Sequence, residues 1–427
     1  MSRNIQPVTG MKDVLSSDIG LWQHVEACAR AVMDAYGYEE IRVPVVEHTE
    51  LFKRAIGEYT DVVEKEMYTF TDQGGDSLTL RPEATAGIVR AAISNGLLRG
   101  ARLKLWCQGP MFRHEKPQKG RFRQFNQVDL EAIGFAGPDV DIEIIALTAR
   151  LWKLLGIARV KLQINSLGTP ESRKAYRELL QEYFRGHLDA LDEDGKRRLD
   201  GNPLRILDSK HPPTQAIVAN APVLTEHLDA ESRTHFAELR SGLDALGIPY
   251  VVNPRLVRGL DYYSRTVFEW ITDALGSQDA ICSGGRYDGL IAQMGGEPTP
   301  AIGFAMGVER VVELTRLAGQ VPAARPPDVF VMAQGEAAQR AALALAERLR
   351  DALPGRGVVF HCGSAKFKTQ FRRADESGAR LALVMGEDEL ARGVVALKPL
   401  RGAEATQTEF PVAEAGARVQ EFLRRST

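Results

Sequence analysis

The segment Phe112-Arg113-His114-Glu115-Lys116-Pro117-Gln118-Lys119-Gly120-Arg121-Phe122-Arg123-Gln124-Phe125-Asn126-Gln127-Val128-Asp129-Leu130-Glu131 holds two runs of strand character separated by Lys, Pro and Gly. Pro and Gly punctuate turns, so the segment reads as an antiparallel hairpin. Strand side chains alternate between faces, which sets Arg123, Gln127, Asp129 and Glu131 on one side of the returning strand. Gln and Glu on a sheet face need polar company, so that side reads as the floor of a polar site. Arg113, at the end of the incoming strand, and Arg121 and Arg123 across the turn place guanidinium forks where a polyphosphate can be gripped in bidentate fashion. Taken alone, the same arginines also fit a solvated basic hairpin.

Outward from the hairpin, Met67 to Phe70, Ser77 to Arg81 and Arg102 to His114 repeat the short-strand pattern and extend it into an antiparallel sheet. Upstream, Asp18 to Tyr36 sets Leu21, Trp22, Val25, Ala29, Val32, Met33 and Tyr36 at helical spacing, with Gly37 as a stop. Glu39 to Glu47 is extended, and Pro44 confines it to an edge or a break in pairing. Downstream, Asp139 to Leu155 is helical, and the charged stretch from about 171 to 246 reads as a helical insertion. Strands return at Tyr250 to Val252 and Thr266 to Trp270. Cys282 to Leu290 and Ala301 to Arg310 follow as glycine-rich turns, and a helix starts near Gly307.

The linker Ala318 to Asp328, rich in Pro, Ala and Gly, separates a first domain, 1–325, from a second, 326–427. The second alternates strands (Val329 to Ala333, Val358 to Phe360, Leu381 to Met385, Val394 to Lys398) with helices (Ala337 to Leu353, Phe367 to Ser377, Val412 to Arg425). That alternation argues for a small α/β layer. Its Lys366, Lys368, Arg372 and Arg373 around Phe367 and Phe371 mix cations with aromatic rings, as single-stranded RNA sites do, or form the solvated face of an amphipathic helix.

The 427 residues carry 54 Lys and Arg against 56 Asp and Glu, a net charge of −2, with 44% hydrophobic residues. Those totals exclude disordered, collagen-like and coiled-coil chains, and exclude nucleic-acid binding by bulk charge alone. Cysteines at 28, 107, 282 and 362 form no CxxC pair and suit reduced thiols better than disulfides or zinc. The opening MSRNIQPVTGMKDV lacks a signal-peptide core, and no apolar run reaches the ~20 residues of a membrane span, so a cytoplasmic protein is expected. GxxxxGK[ST], GxGxxG and HExxH are all absent. Any phosphate must be held by side chains.

Three further clusters carry chemistry. Thr79 to Thr85 ends a strand with Glu83 and Thr85 at a helix start, positions that also suit plain capping. Leu256 to Tyr263 sets Arg258 beside a glycine and the pair Tyr262 and Tyr263. Gly303 to Arg310 brings Arg310 to a helix N-terminus, where the dipole disfavours a cation.

In this order the set resembles the histidyl-tRNA synthetases of the class II aminoacyl-tRNA synthetases, over nearly the whole chain. Ile41 to Glu47, Phe112 to Glu131 and Gly303 to Arg310 look like the three class motifs; Val257 to Tyr263 and Ser283 to Leu290 look like the two signatures peculiar to the histidine enzyme. The resemblance implies an α+β catalytic domain of six or so antiparallel strands with an insertion, and a C-terminal anticodon-binding α/β domain. It implies a homodimer with the first motif at the interface, and ATP, Mg²⁺, L-histidine and tRNA(His) as ligands, in a reaction through histidyl-adenylate. By the same resemblance Arg113 and Arg258 would contact the α-phosphate and carboxylate, Arg121 the outer phosphates and Arg310 the adenosine. Glu83, Thr85 and Gln127 would take the amino acid's α-ammonium and carboxylate ends, and Glu131 and Tyr263, with Tyr262 beside it, its imidazole. No metal ligand is assigned, since none of the 8 histidines clusters. A noncatalytic histidine-sensing relative on the same fold is the alternative, against which Arg113, Arg258, Arg310 and the C-terminal domain weigh.

Overall fold

The computed structural model describes residues 4–57, 60–100, 102–117, 120–209, 211–276, 280–322, 325–401 and 406–425. Gln118 and Lys119 of the hairpin loop, and Ala323 and Ala324 of the linker, lie outside them. The chain divides into two compact units, Met1–Pro322 and Ala323–Thr427.

In the first unit the strands are β1 (Glu39–Glu40), β2 (Val46–His48), β3 (Tyr68–Thr71), β4 (Ser77–Leu80), β5 (Leu103–Phe112), β6 (Gln124–Ile133), β7 (Lys161–Ser166), β8 (Tyr250–Val252), β9 (Ser264–Ile271), β10 (Ala280–Arg286) and β11 (Ala301–Gly307). Eight of them form one sheet in the order β1-β5-β6-β11-β10-β9-β7-β8. Pairing is antiparallel from β5 through β7, and the two edges, β1 on β5 and β8 on β7, are parallel. β2, β4 and β3 make a separate small sheet, and Pro44 falls in the gap between β1 and β2, where no ladder N–H is required.

The hairpin is β5 and β6, and its alternation decides the layering. Val128, Leu130 and Ala132 of β6 are fully buried among the helices Ile19–Ala35, Pro138–Leu154 and Val308–Leu317. A side chain of Val or Leu size removed from water in this way is worth roughly 1.5–3 kcal/mol. Gln127, Asp129 and Glu131 therefore face the opposite side, where buried polar groups cluster. Arg123 precedes β6 and does not share that face; its Nε donates to the Glu115 carbonyl at 3.2 Å.

Three strands depart from expectation. Lys161–Ser166 is a strand with Leu162 and Ile164 buried, and the glycine-rich stretches at 282–286 and 301–307 are strands in mid-sheet instead of turns. The reason is close approach: a Cβ on Gly284 would lie 2.2 Å from the Gly303 carbonyl oxygen, so the glycines let neighbouring strands and side chains crowd together. The charged stretch 171–246 also divides. Helices Pro170–Arg185, Glu193–Gly201 and Pro212–Val218 gather around Tyr176, Leu180, Phe184 and Leu199. Helix Ala230–Ala245 instead sends Phe236, Leu239 and Leu243 into the core under the large sheet, with His235 Nε2 2.8 Å from the Asp141 carboxylate.

The second unit is a five-stranded sheet ordered β13-β12-β14-β15-β16, from β12 (Val329–Ala333), β13 (Val358–Phe360), β14 (Leu381–Met385), β15 (Val394–Pro399) and β16 (Thr408–Pro411). β13, β12 and β14 pair in parallel, and β15 pairs antiparallel with both β14 and β16. The helix Glu387–Arg392, closed by Gly393 at φ +65°, and strand β16 are additional to the sequence-based expectation. Cys28, Cys107 and Cys282 are buried, Cys362 is exposed, and all four are free thiols.

Candidate active site

On the polar face of β6 lies a cavity of about 370 Å³. Glu83, Thr85, Arg113, Arg121, Gln127, Glu131, Arg258, Tyr262, Tyr263 and Arg310, which stand far apart in the sequence, all line it. Arg123 does not. Arg286, inside the glycine-rich stretch, is fully buried elsewhere: it pairs with Asp141 at 2.7 Å and donates to the Phe135 carbonyl at 3.0 Å, so its work is to lock the end of β10.

One end of the cavity is acidic and hydroxylic. Both oxygens of Glu83 accept backbone N–H groups, of Thr85 and Ala86 at 2.9 Å each, so Glu83 caps the helix Thr85–Ser94 while it faces the cavity. Glu131 accepts from the Thr85 hydroxyl at 2.6 Å and from the Tyr287 hydroxyl on its other oxygen. Tyr287 in turn lies edge-on to Tyr262, their centroids 5.6 Å apart, and Tyr262 packs on Tyr263 at 4.6 Å. Burial pushes the carboxyls of Glu83 and Glu131 above the ordinary carboxylate range, Glu131 by far the more. Asp129 beneath them is fully buried and likewise pushed well up by burial, and neither of its oxygens accepts a hydrogen bond. Oε1 of Gln127 is also a buried acceptor without a donor. Buried acceptors without a protein donor are uncommon and call for a bound water, ion or ligand, or a functional role.

Cations stand toward the other end, and two of them reach back to the acidic groups: the Arg258 guanidinium lies 5.9 Å from the Tyr263 ring centroid and Arg113 acts on Glu83. Arg113 donates from Nε to the Pro82 carbonyl at 2.8 Å, and its guanidinium lies 5.5 Å from the Phe125 ring centroid. Arg121 pairs with Glu115 at 2.7 Å, and Arg258 pairs with Glu269 at 2.5 Å. Burial works to lower the Arg258 pKa, but the Glu269 carboxylate and Tyr263 outweigh it and hold that cation above its ordinary value. Arg310 stands in the first turn of helix Val308–Leu317, where Glu309 beside it accepts from the Asn126 backbone N–H at 2.8 Å.

Tyr287 and Ser283 lie in the stretch Ser283 to Leu290 that resembles a histidine-enzyme signature but were given no role, and Glu269 was not singled out; all three are functional neighbours. Glu269 takes both Arg258 and the Ser283 hydroxyl, the latter at 2.9 Å across the β9–β10 pair. Its signal is a lone carboxylate inside the apolar run Thr266 to Trp270. Gly303 is the closest fit of all, since it stands opposite Glu131 in the ladder and a Cβ there would lie 1.8 Å from Glu131 Oε2. Gly303→Ala is therefore expected to displace the Glu131 carboxylate and lower the melting temperature, because overpacking costs about 1–3 kcal/mol. Differential scanning fluorimetry checks it; an unchanged midpoint would show that the strand pair has room to spare.

Among the described residues no group of three or more His, Cys, Asp and Glu side chains is arranged to hold a metal ion, and no helix is long and apolar enough to cross a membrane. The donor set does not fit a Mg²⁺ held by the protein alone; Mg²⁺ commonly rides on phosphates and keeps several waters.

A largely antiparallel sheet with this cavity on its polar face, followed by the α/β unit, is the architecture of a class II aminoacyl-tRNA synthetase catalytic domain with a C-terminal anticodon-binding domain. Residues 10–311 match the family model described as histidyl-tRNA synthetase, and residues 328–422 match that of the anticodon binding domain. The chain belongs to the histidyl-tRNA synthetase family. Its fold is similar to that of the apo Staphylococcus aureus histidyl-tRNA synthetase, with 33% identity, a TM-score of 0.81, and 98% of this chain and 100% of that one covered. A structure titled ATP phosphoribosyltransferase regulatory subunit/histidyl-tRNA synthetase, from Bacillus halodurans, shares the fold at 22% identity and a TM-score of 0.64, covering 90% of this chain and 99% of that one. The histidyl-tRNA synthetase of a Nostoc species does so at 20% identity and a TM-score of 0.65, over 98% and 100%.

Proposed function

We propose that the chain is a histidine–tRNA ligase, acting as a homodimer in the cytoplasm. A histidine carboxylate oxygen attacks the α-phosphorus of ATP, the bond to pyrophosphate breaks, and histidyl-adenylate forms. A hydroxyl at the 3' end of tRNA(His) then takes the histidyl group, and AMP leaves. Mg²⁺ bound to the nucleotide's own phosphates would supply charge neutralisation there. The observation that carries the reading is one cavity that brings buried carboxyls and tyrosines together with four arginines, a fit for a small zwitterion joined to a polyphosphate.

In this reading Arg113 and Arg258 face the reacting carboxylate and α-phosphate, Arg121 the outer phosphates and Arg310 the adenosine. The α-ammonium goes to Glu83 and to the orphaned Oε1 of Gln127, with the Thr85 hydroxyl steadying Glu131 beside them. Glu131 and Tyr263, with Tyr262 packed behind, address the two imidazole nitrogens. A site that pairs both rejects an apolar side chain, because the buried groups would then lie unpaired. The reaction is largely one of positioning and charge compensation, for which fixed guanidinium groups suffice. The cationic face around Phe367 and Phe371 in the second unit suits the anticodon loop; Lys398 lies 4.6 Å over the Phe371 ring. Aminoacylation of a purified histidine tRNA tests the reading, and no charging by an intact, histidine-binding protein would favour the regulatory alternative.

The buried carboxyls give a pH signature. Glu83 and Glu131 have folded values above the unfolded ~4.3, so their protonated forms stabilise the ligand-free protein fully below that pH, and the contribution is lost as pH rises through the raised values. Histidine brings N–H donors that offset this loss. The histidine-induced rise in melting temperature is therefore expected to grow as pH climbs above the ordinary carboxylate range, and to grow less for Glu131→Gln. A rise independent of pH across a titration series would contradict it.

A further inference from the structure

The segment before the first helix is tied to the hairpin that carries Arg113 and Arg121. The Gly10 carbonyl accepts the backbone N–H groups of Arg123 at 2.7 Å and Gln124 at 3.3 Å. Gly10 holds φ at +84°, and a Cβ there would meet Cγ of Arg123 at 2.8 Å, so the contact requires glycine for both conformation and space. Two residues on, the Lys12 ammonium sits 4.5 Å over the ring of Phe122. At the far end of the segment Asp18 pairs with Arg316 at 2.8 Å, on the helix whose first turn carries Arg310.

The segment thus runs from the hairpin return to the Arg310 helix. Beneath it is a second cavity, of about 340 Å³, lined by Lys12 and Trp22 and sharing Gly120, Phe122, Glu309 and Arg310 with the cationic end of the main cavity. Phe122 is wall to both, so whatever fixes that ring fixes the boundary between them. Among the described residues the last backbone bond between the hairpin's two arms is Arg113 N–H to the Arg123 carbonyl, at 2.9 Å, and past it only side chains join them, Arg123 Nε to the Glu115 carbonyl and Arg121 to the Glu115 carboxylate. Beyond that bond, the Gly10 carbonyl and the Lys12 ammonium hold the return from outside the sheet.

We propose that residues 10–14 are a strap that positions the nucleotide end of the cavity, with Gly10 and Lys12 as positioning residues that act through Arg123 and Phe122. The nucleotide assignment rests on the functional reading above. The strap sets where Arg121 and Phe122 stand and touches none of the groups at the acidic end. Its loss should weaken nucleotide binding and leave histidine binding alone.

Calorimetric titration of the full chain with a non-hydrolysable ATP analogue, and separately with L-histidine, tests this. Lys12 is exposed, so Lys12→Ala keeps the fold, and it is expected to weaken the analogue about threefold, the value of an exposed cation–π contact. Lys12→Arg keeps the cation over the ring and should restore the affinity. Gly10→Ala, forced into a left-handed conformation, should weaken the analogue roughly tenfold. Histidine affinity should be unchanged in all three. Unaltered nucleotide affinity in Lys12→Ala and Gly10→Ala, or a parallel fall in histidine affinity, would overturn the strap. Nucleotide binding that responds to Lys12 as described, in a wild-type chain without histidine-dependent exchange, would uphold the strap and refute the ligase reading.

Discussion

Arg258→Ala is expected to lower the single-turnover rate of adenylate formation by roughly 10²–10³-fold, the usual loss when one fixed donor to developing charge is removed. Affinity for tRNA should be nearly unchanged, since Arg258 is largely buried and its guanidinium is held in the cavity by Glu269. The physical reason lies in that ion pair. Glu269 and the Ser283 hydroxyl hold the guanidinium in place before any substrate arrives, so little reorganisation remains when the pentacoordinate phosphorus builds up charge. Rapid-quench measurement of adenylate with saturating histidine and ATP decides the matter: a rate comparable to the wild type would remove Arg258 from the chemistry.

Glu131→Ala should raise the apparent KM for histidine by about 10²-fold, consistent with about 1.5–3 kcal/mol for a hydrogen bond to a charged group. The KM for ATP should hardly move, because Glu131 stands at the opposite end of the cavity from Arg121 and Arg310. The truncation also strips acceptors from the Thr85 and Tyr287 hydroxyls, which both lean on this carboxylate. Tyr287→Phe separates the two effects: it removes one of those hydroxyls, keeps the carboxylate, and should cost histidine affinity less. Steady-state pyrophosphate exchange reads both constants, and an unchanged KM for histidine in Glu131→Ala would refute the role.

The hairpin was legible because two signals coincide there, period-two alternation and a Lys-Pro-Gly break. From it the polar face followed, as did the placement of Gln127, Asp129 and Glu131 opposite Val128 and Leu130. The strands β10 and β11 were not legible by that route. Their glycines carry no side chains to alternate, and glycine in a sequence signals a turn unless something else must occupy the space. Here that something is the Glu131 carboxylate above Gly303, a contact between residues 172 positions apart that no local pattern encodes. Helix Ala230–Ala245 shows a related limit, since its charged composition matches the neighbouring helices and only tertiary packing sends Phe236, Leu239 and Leu243 under the sheet. Among site residues, Tyr287 fell within the signature-like stretch Ser283 to Leu290, but its role was hidden: beside Gly284, Gly285 and Arg286 it reads as part of a turn, yet it is the hydroxyl that holds one oxygen of Glu131. Arg286 is the opposite case. An arginine among glycines suggests a ligand contact, and burial against Asp141 makes it structural.

Whether this cavity activates histidine is decided by ATP–pyrophosphate exchange with the purified full-length chain, run with each amino acid in turn. Exchange is expected with histidine and with no other amino acid; histidine binding without exchange, or exchange driven by proline, threonine or glycine, would refute the assignment.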